Sequence, residues 1–326
     1  MPKADAVFEG GGVKGIGLVG ALSVAESKGY VWENVAGTSA GSIVAALVAA
    51  EYEAGELKKI IGSLDYNRFK DKGAVDRIPL FGPLVSLLSE KGIYEGNFLE
   101  DWIRDLLLRK GVRTFGDLVR PGEKDKRYKY KLNVITADVT NELLVVLPTG
   151  IEKYGENPDR LEVAKAVRMS MSIPLFFEPV KFRNNYFVDG GILSNFPVWL
   201  FDSPGIPEWP TFGFKLIEPD YGKPNRIEGP LDFLKSIVGT MMDAHDKLHV
   251  ENNDIVRTVG IPTLGIKTTE FDITPERAEK LYQSGMSAAT DFFKTWNFKK
   301  YTQTHRAKKN PKWLSKIEQL RKVMVT

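Results

Sequence analysis

The chain has 326 residues, 43% of them hydrophobic and 27% charged, which is typical of one large globular domain or of a core with an appendage. Zero cysteines exclude disulfides and thiolate chemistry. No apolar run reaches the roughly 18 residues typical of a membrane span. Because the amino terminus leads directly into an apolar strand, we predict no signal peptide and a cytoplasmic location.

A glycine-rich loop follows the first predicted strand, which lies near residues 5–9. The loop consists of Gly10, Gly11, Gly12, Val13, Lys14 and Gly15, and a helix is predicted over 14–28. Consecutive glycines can present bare N–H groups to an anion, and the lysine adds positive charge, which is the chemistry of an oxyanion hole. The same loop satisfies the G-x-G-x-x-G fingerprint, with Glu33 as a downstream acid, so a dinucleotide-binding oxidoreductase is the alternative.

The second predicted strand, near residues 31–36, leads to the most informative motif of the chain. Gly37, Thr38, Ser39, Ala40 and Gly41 read G-x-S-x-G, the pattern of a nucleophile elbow that exposes one serine hydroxyl. The flanking glycines let neighbouring backbone approach without a Cβ clash. A strong helix former follows, so the serine is expected at a helix N-terminus, where free N–H groups favour a developing oxyanion.

The middle of the chain continues the alternation of helices and strands. Helices are predicted over 39–53, 56–64, 96–109 and 159–169, and strands over 132–137 and 143–147. The apolar segment 78–88 is broken by proline and glycine, so it is interpreted either as a mobile lid or acyl-chain wall, or as a buried loop.

A third motif is Asp189 followed by Gly190 and Gly191, after the apolar residues 186–188. A carboxylate at a strand end, followed by two glycines, can reach into a site without obstruction by side chains. The alternative interpretation is an Asp-Gly hairpin turn between two strands.

Taken in this order, the three motifs resemble those of the patatin-like phospholipase family: G-G-G-x-[KR]-G, G-x-S-x-G and D-G-[GA]. The serine-rich segment 168–174 and the residues that follow it are similar to a stretch ahead of the family's aspartate. The resemblance covers roughly residues 5–200. It implies an α/β fold, a three-layer α/β/α sandwich with a mostly parallel central sheet.

The resemblance also implies a lipid acyl hydrolase of the phospholipase A or lysophospholipase type with a Ser-Asp dyad. Ser39 would attack an acyl ester, Asp189 would accept the hydroxyl proton, and the glycine loop would hold the oxyanion. No cofactor and no metal are implied, calcium included. The same residues leave open a carboxylesterase, a thioesterase, an acyltransferase or a non-catalytic membrane-binding protein.

Three histidines bear on whether a triad replaces the dyad. His245 follows Ser39 and Asp189 in α/β-hydrolase order. It lies four residues before His249 on a predicted helix, where the pair could also ligate a metal, but no third ligand accompanies them. With His305, they are interpreted as helix or tail residues outside the chemistry.

The last third is predicted to continue the α/β domain, with strands over 211–217 and 263–267 and helices over 230–250, 275–294 and 311–324. The domain division is 1–200 for the catalytic core, 201–293 for its continuation and 294–326 for a tail. Strand–helix alternation argues for a parallel sheet with helices on both faces. Ligands of such sheets bind beyond the carboxyl ends of the strands, where all three motifs fall.

The tail is strongly basic. Residues 294–326 hold ten Lys or Arg and one acid, Glu318, a charge of +9, which leaves −6 on the remainder of a chain whose total is +3. The interleaved aromatic residues are Trp296, Phe298, Tyr301 and Trp313. This mixture suits the headgroup region of an anionic bilayer, so peripheral membrane contact is predicted. Nucleic acid binding, which we do not expect, and a plain solvated helix are the alternatives.

Overall fold

A computed structural model describes residues 1–69, 94–203, 205–219, 227–229, 232–234, 236–241, 252–268 and 270–303. Several predicted features lie outside these residues. They are the segment 78–88, the three histidines, the helix over 311–324, and the basic tail beyond residue 303.

Strands and helices alternate along the first half of the chain. The elements are β1 (Lys3–Phe8), α1 (Gly15–Ser27), β2 (Val31–Thr38), α2 (Ala40–Ala49), α3 (Ala54–Gly62) and α4 (Asn97–Arg109). The next are β3 (Leu132–Asp138), β4 (Leu143–Leu147), α5 (Val163–Ser170), β5 (Val180–Phe182) and β6 (Asn185–Asp189). The last are β7 (Thr211–Ile217), α6 (Asn252–Ile255), β8 (Thr258–Pro262), α7 (Pro275–Thr295) and α8 (Phe298–Tyr301).

The strands of the described residues form one sheet in the order β5-β6-β3-β2-β1-β7-β8, with β4 beside β3. Strands β1, β2, β3, β7 and β8 run parallel, whereas β4 and β6 are antiparallel to β3 and β5 is antiparallel to β6. The sheet is therefore mixed and mostly parallel, and the predicted fold class is confirmed. Strand β1 lies inside the sheet, between β2 and β7.

Both faces of the sheet are covered, because successive side chains of a strand point to opposite sides. Ala6 and Phe8 of β1 belong to the main core, which includes eight of the ten residues of α2. Val7 between them packs on the other face, against Phe196 and Phe201 from the segment after β6. The Ser39 elbow is thus held at the end of a strand whose two faces are both buried.

One prediction about a strand is wrong. Residues 263–267 form a turn, with positive φ at Leu264 and Gly265, and the strand lies just before it as β8. Asp189 does not occupy a hairpin turn, since it ends β6 and begins the 3₁₀ turn Gly190–Ile192. Nor is β6 parallel to its neighbour, so Asp189 reaches the site from the opposite chain direction.

None of the helices in the described part of the chain is long and apolar enough to cross a membrane. The described start of the tail packs on the protein itself. Tyr301 is buried, and the ring of Trp296 stacks on Phe292 at a centroid distance of 5.4 Å. These two aromatic residues therefore serve internal packing, and the prediction of membrane contact depends on the basic residues of the tail.

Candidate active site

Ser39 stands at the junction of β2 and α2, in a backbone conformation that is unfavourable for a serine. Its φ is 53° and its ψ is −131°, a region that residues other than glycine rarely adopt. Such strain persists only where the surrounding structure enforces it, and it is found mostly at functional sites. The sharp turn predicted from G-x-S-x-G is present at Ser39.

Close backbone contacts explain the two glycines of the elbow. A Cβ on Gly37 would lie 2.2 Å from the carbonyl oxygen of Gly41, and a Cβ on Gly41 would lie 2.2 Å from that of Phe8. Both distances are far below any contact that real Cβ atoms make. Because the elbow is pressed against itself and against the end of β1, neither position tolerates a side chain.

The glycine loop lies beside the serine, but most of its N–H groups are already hydrogen-bonded. A Cβ on Gly10 would lie only 2.9 Å from Cβ of Ser39. The N–H of Gly10 donates to Asn195, that of Val13 to Thr268, that of Lys14 to Gly11 and that of Gly15 to Gly12, all at carbonyl oxygens. Within the described residues, only Gly11 and Gly12 of this loop keep N–H groups without an acceptor.

Lys14 does not present a free ammonium group to the loop. Its Nζ donates to Oε1 of Glu218 at 2.5 Å, and its side chain is almost fully buried. The charge that the sequence suggested for an oxyanion is therefore shared with a carboxylate that follows β7.

Asp189 is fully buried and only half satisfied. Its Oδ1 accepts the N–H of Gly191 at 2.8 Å, whereas its Oδ2 has no hydrogen-bond partner among the described residues. Burial raises the pKa of Asp189 to about 7, against smaller lowering effects of the Ser39 hydroxyl and the Gly191 N–H. A carboxylate with that pKa is a far better base near neutral pH than an aspartate in water, whose pKa is about 3.9.

Strand β3 brings the two side chains together. Its Ile135 pairs with Thr38, next to the serine, and its Thr136 pairs with Asp189. The Ser39 hydroxyl is close enough to Asp189 to lower the pKa of that carboxyl, yet no hydrogen bond of ordinary geometry joins them. Instead, Oγ of Ser39 donates to Sδ of Met171 at 3.7 Å. We take the two groups as neighbours whose hydrogen bond is not formed in this conformation.

Two further polar side chains contact the elbow and the glycine loop, and sequence reasoning gave neither of them a role. Oγ of Ser170 accepts the N–H of Ser39 at 2.9 Å and donates to the carbonyl of Ile135 at 2.6 Å. Nδ2 of Asn195 donates to the carbonyl of Gly10 at 3.3 Å, and its buried Oδ1 has no partner in the described part of the chain. The serine-rich segment was a usable signal for Ser170, whereas nothing local distinguishes Asn195 from an ordinary loop residue.

Replacing Ser170 by alanine leaves the N–H of Ser39 buried without an acceptor. We expect this change to lower the free energy of unfolding by about 1–3 kcal/mol and to lower kcat more than it raises KM, because the elbow loses its support. Urea unfolding and steady-state ester hydrolysis measure the two effects. The matched control is Ser23→Ala, since Ser23 hydrogen-bonds only within α1. Equal losses of stability and kcat in the two variants would mean that Ser170 has no specific role in supporting the elbow.

A narrow apolar pocket lies against the elbow. It is lined by residues that flank Ser39, namely Gly12, Ala40 and Met171, and by Trp102 and Phe177 further away. Ser39 itself is fully buried. Because Met171 lines the pocket and also contacts the serine hydroxyl, its side chain lies between the two.

The dinucleotide alternative lacks the geometry it requires. Glu33 lies near the start of β2, at the end of the sheet opposite the glycine loop, where it pairs with Lys3 at 2.9 Å and Arg120 at 2.6 Å. It cannot serve a nucleotide bound at the loop. For metal ions, no group of three or more His, Asp or Glu side chains within the described ranges is arranged to bind one.

The fold and the site define an α/β protein with a serine on a strand-to-helix elbow beside a buried carboxylate, an arrangement typical of hydrolytic enzymes. The sequence model of the family described as patatin-like phospholipase matches residues 6–202. The chain belongs to this patatin-like phospholipase family.

Individual relatives and solved structures are also similar to this chain. The chain is 38% identical over 300 residues to the uncharacterized protein YqhO of Bacillus subtilis (strain 168), covering 90% of this chain and 99% of that one. It is 27% identical over 203 residues to the probable lipid hydrolase 463L of Invertebrate iridescent virus 6, covering 59% and 61% of the two chains.

The crystal structure of VipD from Legionella pneumophila has a similar fold, with a TM-score of 0.56 and 19% identity over 90% of this chain and 67% of that one. The heterodimeric ExoU–SpcU complex from Pseudomonas aeruginosa gives a TM-score of 0.51 at 21% identity, covering 90% and 51%.

Proposed function

We propose that this chain is a lipid acyl hydrolase of the phospholipase A or lysophospholipase type, acting through Ser39 and Asp189. The observation that carries the proposal is the buried Oδ2 of Asp189, which has no hydrogen-bond donor among the described residues and lies next to a strained serine. A buried acceptor without a partner costs free energy, about 1–3 kcal/mol. That cost is explained if the oxygen receives the serine proton during the reaction.

The acylation step follows from these positions. The Ser39 hydroxyl turns from Met171 towards Asp189, passes its proton to Oδ2, and Oγ attacks the ester carbonyl carbon. The carbonyl oxygen becomes an oxyanion, and the N–H groups of Gly11 and Gly12, which have no acceptor among the described residues, are the loop donors left to stabilise it. As the carbonyl re-forms, the bond to the alcohol breaks, and the leaving oxygen takes the proton held by Asp189.

In the deacylation step, water takes the place of the serine hydroxyl as the nucleophile and Oγ of Ser39 becomes the leaving group. Water loses a proton to Asp189 and attacks the acyl-enzyme carbonyl, and the N–H groups of Gly11 and Gly12 again stabilise the oxyanion. The bond to Oγ then breaks, Oγ recovers the proton, and a fatty acid leaves. No cofactor or metal is required by this sequence of proton transfers.

A fatty-acyl substrate is favoured by the pocket beside the elbow. Its lining is aliphatic and aromatic, so it suits a hydrocarbon chain rather than a polar acyl group. Carboxylesterase, thioesterase and acyltransferase activities use the same two side chains and remain alternatives for the same site. Peripheral contact with an anionic membrane through residues 294–326 stays a prediction that rests on their charge.

The test of this function is product analysis with defined phospholipids in water labelled with heavy oxygen. Hydrolysis releases a fatty acid that carries the label, together with a lysophospholipid or a glycerophosphodiester. If the acyl group instead appears on an added alcohol and no labelled fatty acid is released, the reaction is acyl transfer rather than hydrolysis. Absence of any acyl product, combined with no reaction of Ser39 with a fluorophosphonate, would contradict the proposal.

The pH dependence of the reaction is expected to follow Asp189. Because the carboxylate must be ionised to accept a proton, kcat/KM should be high above the pKa and fall as the pH drops through about 7. An unperturbed aspartate would place this fall near pH 4. A pH profile measured with a soluble ester decides between them, and an acid limb centred near pH 4 would show that burial does not tune this base.

A further inference from the structure

A second pocket adjoins the one beside Ser39. It measures about 930 Å³ with its open mouth, and its own lining is more polar, with Ser63, Asp65 and Asp272 among the residues. The two pockets share four lining residues, which are Val13, Ile61, Leu64 and Phe271. We call the pocket beside the serine the inner pocket and the other the outer pocket. The shared residues form the wall between them.

Phe271 is the bulkiest side chain in this wall, and it comes from outside the region that matches the family. It follows β8, and it is buried to 92%, since 8% of it is exposed. Its ring also approaches Phe176 at a centroid distance of 6.5 Å. The family match ends at residue 202, so this part of the wall belongs to the chain's own later segment.

The turn that carries Phe271 is braced at both ends. The carboxylate of Glu270 accepts the N–H of Lys267 at 3.2 Å and pairs with Arg277 in the first turn of α7. Earlier in the same segment, the carbonyl of Thr268 accepts the N–H of Val13 from the glycine loop. The ring is therefore held in a fixed position relative to the site rather than hanging from a free loop.

From this arrangement we infer that Phe271 sets the length of the acyl chain that the enzyme accepts. When the ester carbonyl of a substrate reaches Ser39, its acyl chain occupies the inner pocket along Ala40 and Ile43. The ring of Phe271 then blocks the acyl chain from entering the outer pocket. The inference rests on the proposed function and adds a specificity-determining residue to it. Each methylene that gains an apolar environment adds roughly three- to fourfold in binding, so a few excluded methylenes alter the preference strongly.

The experiment measures kcat/KM for p-nitrophenyl esters from butyrate to palmitate. Phe271→Ala joins the two pockets, and we expect the ratio of palmitate to butyrate activity to rise about tenfold or more. Phe271→Trp enlarges the wall and should shift the preference towards shorter chains. The readout is the ratio of palmitate to butyrate activity within each variant, because any loss common to all esters cancels in that ratio.

Phe292→Ala is the control, because it removes a phenyl ring from the end of α7 away from the pockets, where Phe292 is half-buried. Its chain-length profile should match that of the wild type. If Phe271→Ala does not fold, Phe271→Leu, which keeps apolar volume but loses the ring, should give a smaller shift in the same direction. Unchanged profiles in all Phe271 variants, or an equal shift in Phe292→Ala, would overturn the inference. Wild-type inactivity on every ester would instead overturn the proposed function.

Discussion

Replacing Ser39 by alanine is expected to lower kcat/KM for ester hydrolysis by about 10⁴-fold or more, since the nucleophile is lost and only binding and oxyanion donors remain. Covalent labelling by a fluorophosphonate should disappear with it. Both effects follow from a single hydroxyl, so the fold should be retained. Steady-state kinetics with a soluble ester and intact-mass measurement after labelling test this prediction.

Ser23→Ala serves as the control, because Ser23 bonds only to Gly20 of its own helix. Its activity should equal that of the wild type. Residual labelling or substantial hydrolysis by Ser39→Ala would mean that another residue is the nucleophile. A further variant, Ser39→Gly, should be as inactive but more stable than Ser39→Ala, because glycine adopts a φ of 53° without strain.

Replacing Asp189 by asparagine should lower kcat by about 10³- to 10⁴-fold, because an amide cannot accept the serine proton. The same change should stabilise the protein at neutral and alkaline pH. Burial raises the folded-state pKa of Asp189 to about 7, above its unfolded value, so folding favours the protonated form. Its contribution to stability is therefore complete below about pH 4 and is lost as the pH rises through 7.

Asp5 provides a control, because its pKa is raised by burial in the same way but it lies in a different part of the fold. Burial raises its pKa to about 7 as well, but it lies near the start of β1, where it accepts hydrogen bonds from Asn34 and Trp209. Asp5→Asn should keep the activity and the acid limb near pH 7, while altering the pH dependence of unfolding. If Asp5→Asn and Asp189→Asn lose the same fraction of activity, the loss reflects the removal of a buried carboxylate in general. A residue other than Asp189 would then be the base.

Local chemistry explains why the elbow could be predicted from the sequence. A strand that turns at once into a helix leaves no room for side chains at Gly37 and Gly41. The glycines of the motif therefore indicate directly that backbone segments approach closely at the elbow. The parallel core strands were predictable for a similar reason, because buried strands are continuous apolar runs between helices.

Other parts of the site depend on contacts distant in sequence. Which N–H groups of the glycine loop stay free is decided by the carbonyls of Asn195 and Thr268, which no motif relates to the loop. The antiparallel direction of β6 and the wall at Phe271 are likewise products of tertiary packing. The sequence therefore indicates the proposed reacting groups better than the residues that surround them.

The position of β1 within the sheet has a consequence for any shortened form of the protein. The family match ends at residue 202, yet β7 forms a parallel ladder with β1 from Asp5 to Phe8. A fragment that stops there would expose the hydrogen-bonding groups along one flank of its central strand, a template for pairing between molecules. Such a fragment should self-associate on purification even though it retains the serine, the aspartate and the glycine loop.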